Sequence, residues 1–226
     1  MSLPVSFRTQ AMQIARKDLR VEARVGEVLL ITIPFGAVAL LLVPLAVGPE
    51  LELLGRIGPG MFWVVVLLFG MVITFRQTAA EGPAQRDLLA LLGLDPAAQF
   101  TGRALASGVL LLVFEALLAP VAVVLYNPPL PAWWWLGLIG PLVAAGLALL
   151  GSLAGGLTSN LRVRSTLAPL LVAPLAVPLL LAATASLEGL RYGSDILAWV
   201  LLLATFDLIL AIAGVWTARS LEEGSR

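Results

Sequence analysis

The sequence predicts an all-α integral membrane protein of six transmembrane helices, preceded by a helix lying at the membrane interface. Three observations predict it. Six apolar runs, at 28–47, 57–75, 104–126, 133–157, 167–187 and 196–217, each have about the 20 residues needed to cross a hydrocarbon core about 30 Å thick. Sixty per cent of the 226 residues are hydrophobic and only 12% are charged, which fits a bilayer protein and excludes a disordered chain. The third observation is where the positive charge lies. Arg8, Arg16, Lys17, Arg20 and Arg24 precede the first run. Arg76, Arg86 and Arg103 lie in the second gap, Arg162 and Arg164 in the fourth, and Arg219 and Arg226 in the tail. Only Arg56 and Arg191 fall on the other side. That asymmetry predicts that both termini are cytoplasmic.

The chain divides accordingly. Residues 1–27 form a cytoplasmic interfacial segment, 28–217 a six-helix transmembrane domain whose longest gap is the cytoplasmic loop 76–103, and 218–226 a cytoplasmic tail. The spans occupy more than half of the chain, so no separate soluble domain is expected. The first apolar run follows 27 mostly polar residues and is of full spanning length, unlike a cleaved signal peptide. Cysteine and histidine are both absent. This removes disulfides, thiolate chemistry and the usual zinc, haem and proton-relay ligands. The basic residues are dispersed among membrane-flanking loops, without the interleaved aromatics of a nucleic-acid surface.

Each element has its own local logic. Within 5–27, Arg16, Arg20 and Arg24 recur every four residues as one basic stripe, with Ala15, Leu19 and Ala23 beside it. Such a helix is expected on the inner leaflet, its arginines toward lipid phosphate and its apolar groups toward acyl chains. The first outer gap, Gly48–Gly60, is bracketed by Gly-Pro pairs that break helices. Leu51, Leu54 and Ile57 fall at helical spacing inside it, so a short re-entrant or surface helix is expected there. The brief proline-rich gap at 127–131 predicts an antiparallel hairpin of spans three and four.

Trp133, Trp134 and Trp135 open span four, where tryptophan serves as an interfacial anchor; a porphyrin-stacking platform is the alternative. Gly151 and Gly155 of the same span make a small-xxx-small pattern for close helix contact. Span five carries Pro169, Pro174 and Pro178. Each proline removes a backbone donor, so a bent or locally unwound helix is expected.

The long cytoplasmic gap has helical grammar. Pro83 suits a first helical position, AQRDLLALL follows, and Gly93 suits a left-handed terminator. Asp95-Pro96 then reads as an N-cap with proline next, starting a helix that runs into span three. Leu88, Leu91 and Leu92 share one face beside Arg86 and Asp87. An apolar face in a cytoplasmic loop is expected to dock into a partner's groove, with a helix lying on the membrane as the alternative.

Two acids sit within the bilayer, Glu115 near the middle of span three and Asp207 near the middle of span six. A carboxylate at bilayer centre costs on the order of 3 kcal/mol on insertion scales. No basic residue lies at matching depth, so each is expected to be protonated or turned toward a hydrated cavity. An interhelical hydrogen bond worth about 1 kcal/mol is the structural alternative. No Gly-x-Gly-Asp segment, HExxH, GxSxG or Walker phosphate loop occurs, so any ATP is expected on another chain.

GPELELLGRIGPGMFW (Gly48–Trp63), Glu81-Gly82, Leu88–Leu92, Asp95-Pro96, Gly102-Arg103, FEALLAP (Phe114–Pro120), Arg162–Arg164, the span-five prolines and Phe206-Asp207 together resemble the CcmB family. These are the haem-exporter B permeases of cytochrome c maturation. The likeness runs over roughly 10–215, departing at Arg103, where many members have Lys, and at Pro83.

The resemblance implies an ABC-2-type permease in the bacterial cytoplasmic (inner) membrane, with N-in and C-in topology and no catalytic residues. It implies a homodimer paired with a CcmA-like ATPase through the loop residues Arg86, Asp87, Leu88, Leu91, Leu92 and Asp95. CcmC, CcmD and CcmE-like proteins are the further partners. No tightly bound cofactor or metal is expected; haem is the implied substrate, and ATP belongs to the partner subunit. Glu115 and Asp207 are the candidate intramembrane pathway, and Trp63, Trp133, Trp134 and Trp135 the candidate haem or interface aromatics. Without His or Cys, haem contact would be weak, which favours a mechanical role. The competing readings are an ABC-2-type exporter of a lipid-linked glycan or drug, and an intramembrane enzyme using Glu115 and Asp207 as acid and base.

Overall fold

The computed structural model describes residues 6–79, 94–129, 133–158 and 164–223. Seven α-helices account for most of them. Helix α1 covers Phe7–Val25, α2 Glu27–Val47, α3 Leu51–Ala79, α4 Pro96–Tyr126, α5 Leu136–Leu157, α6 Arg164–Tyr192 and α7 Leu197–Glu223. A 3-10 turn at Trp133–Trp135 leads into α5. Six segments are long and apolar enough to span a membrane, Glu27–Val47, Leu51–Arg76, Pro96–Tyr126, Trp133–Leu157, Leu170–Tyr192 and Leu197–Ser220. They follow the six apolar runs in order.

Helices α4 and α5 form the centre. Helix α4 packs on α1, α2, α3, α5 and α7, and α5 on α3, α4, α6 and α7. Glycine gives α5 this role by letting other helices come close. A Cβ on Gly151 would collide with Thr74 of α3, as the small-residue spacing predicted, and one on Gly146 would collide with Leu179 of α6. The periphery is lipid-like: Leu30, Phe35, Leu42 and Leu45 on α2, and Leu201, Leu208, Ile209 and Ile212 on α7, are exposed. Antiparallel α4 and α5 are joined at Asn127, whose left-handed backbone (φ 42°) caps α4 with its N–H on the Val123 carbonyl.

Three expectations are corrected. Residues 51–57 make no separate helix; they are the first turns of α3, which runs unbroken through Pro59. Helix α6 likewise continues through Pro174 and Pro178 without unwinding, because a packed membrane helix absorbs the loss of single backbone donors.

The third correction concerns α1, which turns Ala15 toward protein rather than acyl chains, while Ala23 stays exposed. Ala11 and Ala15 are buried, and α1 lies so close to α4 that a Cβ on Gly102 would sit 2.7 Å from the Ala11 carbonyl oxygen. At about 1.5 Å per residue, the 31-residue α4 is about 46 Å long. It therefore projects past the hydrocarbon, and its projecting turns hold α1. The stripe of Arg16, Arg20 and Arg24 remains exposed on α1 as expected.

The α1–α2 corner is made by Gly26, left-handed at φ 62° and shared as the end of one helix and the start of the next. Glu22, though buried, turns its carboxylate onto the α2 terminus, where Oε1 accepts from the Val28 N–H at 2.9 Å. It thereby satisfies one of the helix's orphan donors and sits at the positive end of its dipole.

Candidate functional site

The predicted site residues fall at three levels of the bundle. The first level is the end that carries α1. Arg86, Asp87, Leu88, Leu91 and Leu92 lie outside the described residues; Asp95, where that loop re-enters the bundle, lies within them. Its Oδ1 accepts from the Ala97 N–H at 2.9 Å, with Pro96 at the next position. This is the cap the sequence predicted. Its backbone N–H donates to Gln10 Oε1 of α1 at 3.0 Å, and its Oδ2 lies 3.6 Å from Arg219 Nη2 of α7. An ion pair this exposed adds little stability. What matters is geometry, since one residue ties the loop's end to α1, α4 and α7 together.

The second level is a partly open cavity of about 340 Å³ at the opposite end, among the start of α3, the end of α4, the start of α5 and Leu187 of α6. Its walls are mostly carbon. Three polar side chains line it, Glu115, Trp63 and Tyr126; the Tyr126 hydroxyl is already engaged with the Leu40 carbonyl, while Glu115 and Trp63 are 5% and 2% exposed. Neither Glu115 Oε1 nor Trp63 Nε1 has a hydrogen-bond partner among the described residues. Glu115 lies against α5 at Gly140, where an added Cβ would stand 3.1 Å from Oε2. Trp63 therefore does not anchor at a lipid surface; it packs edge-on to Phe62 with ring centroids 5.0 Å apart. Trp133 and Trp134 are exposed, and Trp134 stacks on Trp135 at 4.5 Å.

Prolines shape this end of the bundle. An α-helical N–H donates to the carbonyl four residues back, and proline has no N–H to give. Pro44 thus deprives the Leu40 carbonyl, and the buried Tyr126 hydroxyl donates to it instead at 2.7 Å. Pro59 deprives Gly55, whose carbonyl accepts from Arg191 Nη1 at 3.4 Å. Pro120 and Pro141 deprive Ala116 and Gly137, and both of those residues line the cavity.

The third level holds Asp207. Its carboxylate is wedged between α5 and α6, where a Cβ on Gly146 would meet both Asp207 Oδ1 and Leu179 Cδ1. Neither oxygen has a partner among the described residues. Gly140 and Gly146 are six positions apart on α5, about 9 Å along its axis. The two acids therefore touch one helix at different heights and do not share a site, as a catalytic acid–base pair would require.

Residues 9–223 match the model of the CcmB protein family. The chain belongs to the CcmB family. It is 34% identical over 183 residues to heme exporter protein B of Rhodobacter capsulatus, covering 80% of this chain and 83% of that one. The Paracoccus denitrificans protein of the same name is 33% identical over 212 residues, 93% and 97% of the two chains. That of Haemophilus influenzae is 31% identical over 183 residues, 79% and 81%. The chain is thus a multi-pass membrane protein of this family.

Several residues of this CcmB chain's site were missed in the sequence. Tyr126 and Arg191 are hydrogen-bond donors to proline-orphaned carbonyls, and the signal for them was present: a proline inside a span marks the residue four before it as an unpaired acceptor. Gly140 and Gly146, the seats of the two acids, were visible as glycines without their partners.

Proposed function

We propose that this chain is the permease subunit of an ABC-type transporter complex that acts in haem delivery during cytochrome c maturation. The observation that carries the reading is the family match over residues 9–223, together with relatives named heme exporter protein B. In this reading the chain is no enzyme. ATP is hydrolysed on a separate CcmA-like ATPase, the permease is a homodimer, and CcmC-, CcmD- and CcmE-like proteins handle haem beside it. Both termini face the cytoplasm, a reading the charge layout supports, in the bacterial inner membrane. The loop 76–103 takes the push of the ATPase, with Arg86, Asp87, Leu88, Leu91 and Leu92 in contact. Asp95 passes the motion to α1, α4 and α7. The position of Asp95 supports this role, since force applied to the loop's end reaches three helices at once. Glu115 and Asp207 lie on the responding helices as the candidate pathway.

Co-purification of the tagged chain from native membranes tests the reading. An ATPase and haem-handling proteins are expected with it; an ATPase accompanied by lipid-glycan enzymes instead would overturn it. Leu88→Asp and Leu92→Asp should abolish ATPase recruitment while membrane insertion persists, and full recruitment would remove the docking assignment. Glu115→Gln and Asp207→Asn should uncouple ATP hydrolysis from cytochrome c assembly at normal protein level.

A further inference from the structure

The cavity beside Glu115 has a chemistry that the transport reading by itself does not explain. Its walls are mostly carbon and include Phe62, Leu112, Val123, Leu136 and Leu187. Its volume lies at the lower end of the range for small-molecule sites. Yet it contains a donor without an acceptor, Trp63 Nε1, and an acceptor without a donor, Glu115 Oε1. Pro120 and Pro141 add two lining residues, Ala116 and Gly137, whose carbonyls have lost their helical donors. Carbon walls with a small polar end call for an amphiphile, and the polar end specifies its head. Trp63 can only donate and the carbonyls can only accept, so the head must both accept and donate. A hydroxyl or a protonated carboxylic acid does both. The phosphodiester and glycerol esters of phosphatidylcholine only accept.

We propose that this cavity binds a single-chain amphiphile, with its hydroxyl or carboxylic acid head between Trp63 and Glu115 and its chain along the α3–α4–α5 wall. The bilayer around the spans supplies such molecules, and occupancy of the site does not depend on the haem reading. The head satisfies the stranded polar atoms, and the chain fills volume that would otherwise be void between three helices.

Native mass spectrometry of the full chain in detergent micelles tests this, with oleic acid, oleyl alcohol and methyl oleate titrated separately. Methyl oleate has the same chain and a head that cannot donate. The acid, the alcohol or both should give one saturable adduct per chain, with methyl oleate at least about tenfold weaker; acid against alcohol distinguishes the two head chemistries. Glu115→Gln or Trp63→Phe should weaken the adduct several-fold, and Ala119→Phe should remove it by filling the cavity. Should Ala119→Phe fail to fold, Gly137→Phe serves, because nothing lies within 4 Å of a Cβ at Gly137. Equal binding of methyl oleate, or adducts that persist in the filled variant, would overturn the proposal. Quenching of Trp63 emission by dibrominated oleyl alcohol is the independent readout, in a variant with the other five of the six tryptophans replaced by Phe. Saturable quenching that methyl ester cannot compete away supports the site, and its absence counts against it.

Discussion

Glu115 and Asp207 look alike in the sequence and differ in the fold. Both are buried acids in membrane spans, and their exposures, 5% and 8%, do not separate them. Both press on a glycine of α5. The difference is what surrounds each carboxyl. Glu115 lines a cavity that also holds an unpartnered indole N–H, so it has room and a neighbour with complementary chemistry. Asp207 lies outside that cavity, packed at Gly146 of α5, where an added Cβ would meet both its Oδ1 and Leu179. A buried acid with space beside it is a place where something can bind. One held in packing is part of a helix contact instead.

The comparison can be broken first at the glycines. Gly146→Leu should give the largest effect, because even the first carbon of the new side chain meets Leu179 and Asp207; overpacking costs about 1–3 kcal/mol and often more. We expect loss of folded protein by size-exclusion in detergent. Gly140→Ala should lower the melting temperature by only a few degrees, since the nearest atom is the movable end of Glu115. Equal damage at the two positions would erase the distinction.

The next largest effect is expected at Asp207 itself. Leucine branches at the same carbon, and Asp207→Leu removes two buried oxygens that have no partner. An unsatisfied buried polar group costs about 1–3 kcal/mol, so thermal unfolding should show stabilisation of that order. Glu115→Leu should change stability by less than about 1 kcal/mol. Destabilisation by Asp207→Leu would mean that the carboxyl is hydrogen-bonded in the protein, as the structural alternative holds.

A third test sharpens the cavity end. Tyr126→Phe strands the Leu40 carbonyl and should cost about 1–3 kcal/mol. In a Pro44→Ala background the helix regains its own N–H donor to Leu40, and the same substitution should cost under about 0.5 kcal/mol. A double-mutant cycle in detergent reads the difference directly. Smallest of all, Glu27→Gln should change stability by at most a few tenths of a kcal/mol, because its pair with Arg76 at 2.9 Å is half exposed on both sides.

The six spans, the Asp95 cap and the contact at Gly151 were legible in the sequence, because hydropathy, capping and small-residue spacing are local signals. The packing of α1 against α4 was not. Its alanines point in the sequence toward lipid or water, and only the projecting turns of α4 around Gly102 show that Ala11 and Ala15 meet protein. The Gly-Pro pair at Pro59 predicts a helix break and Pro174 a bend or local unwinding, as holds in water; inside the bundle Arg191 replaces the donor that Pro59 lacks. The two acids were legible as unusual, yet their separation was not, because it depends on which residue of α5 each one meets.

The chain contains no cysteine, so Glu115→Cys and Asp207→Cys are each single-thiol proteins without further engineering. Reaction of both with a membrane-permeant maleimide, under identical conditions in native membranes, tests the central distinction most directly. The cavity at Glu115 predicts labelling at position 115 at least about tenfold faster than at position 207. Equal rates, or faster labelling at position 207, would contradict it.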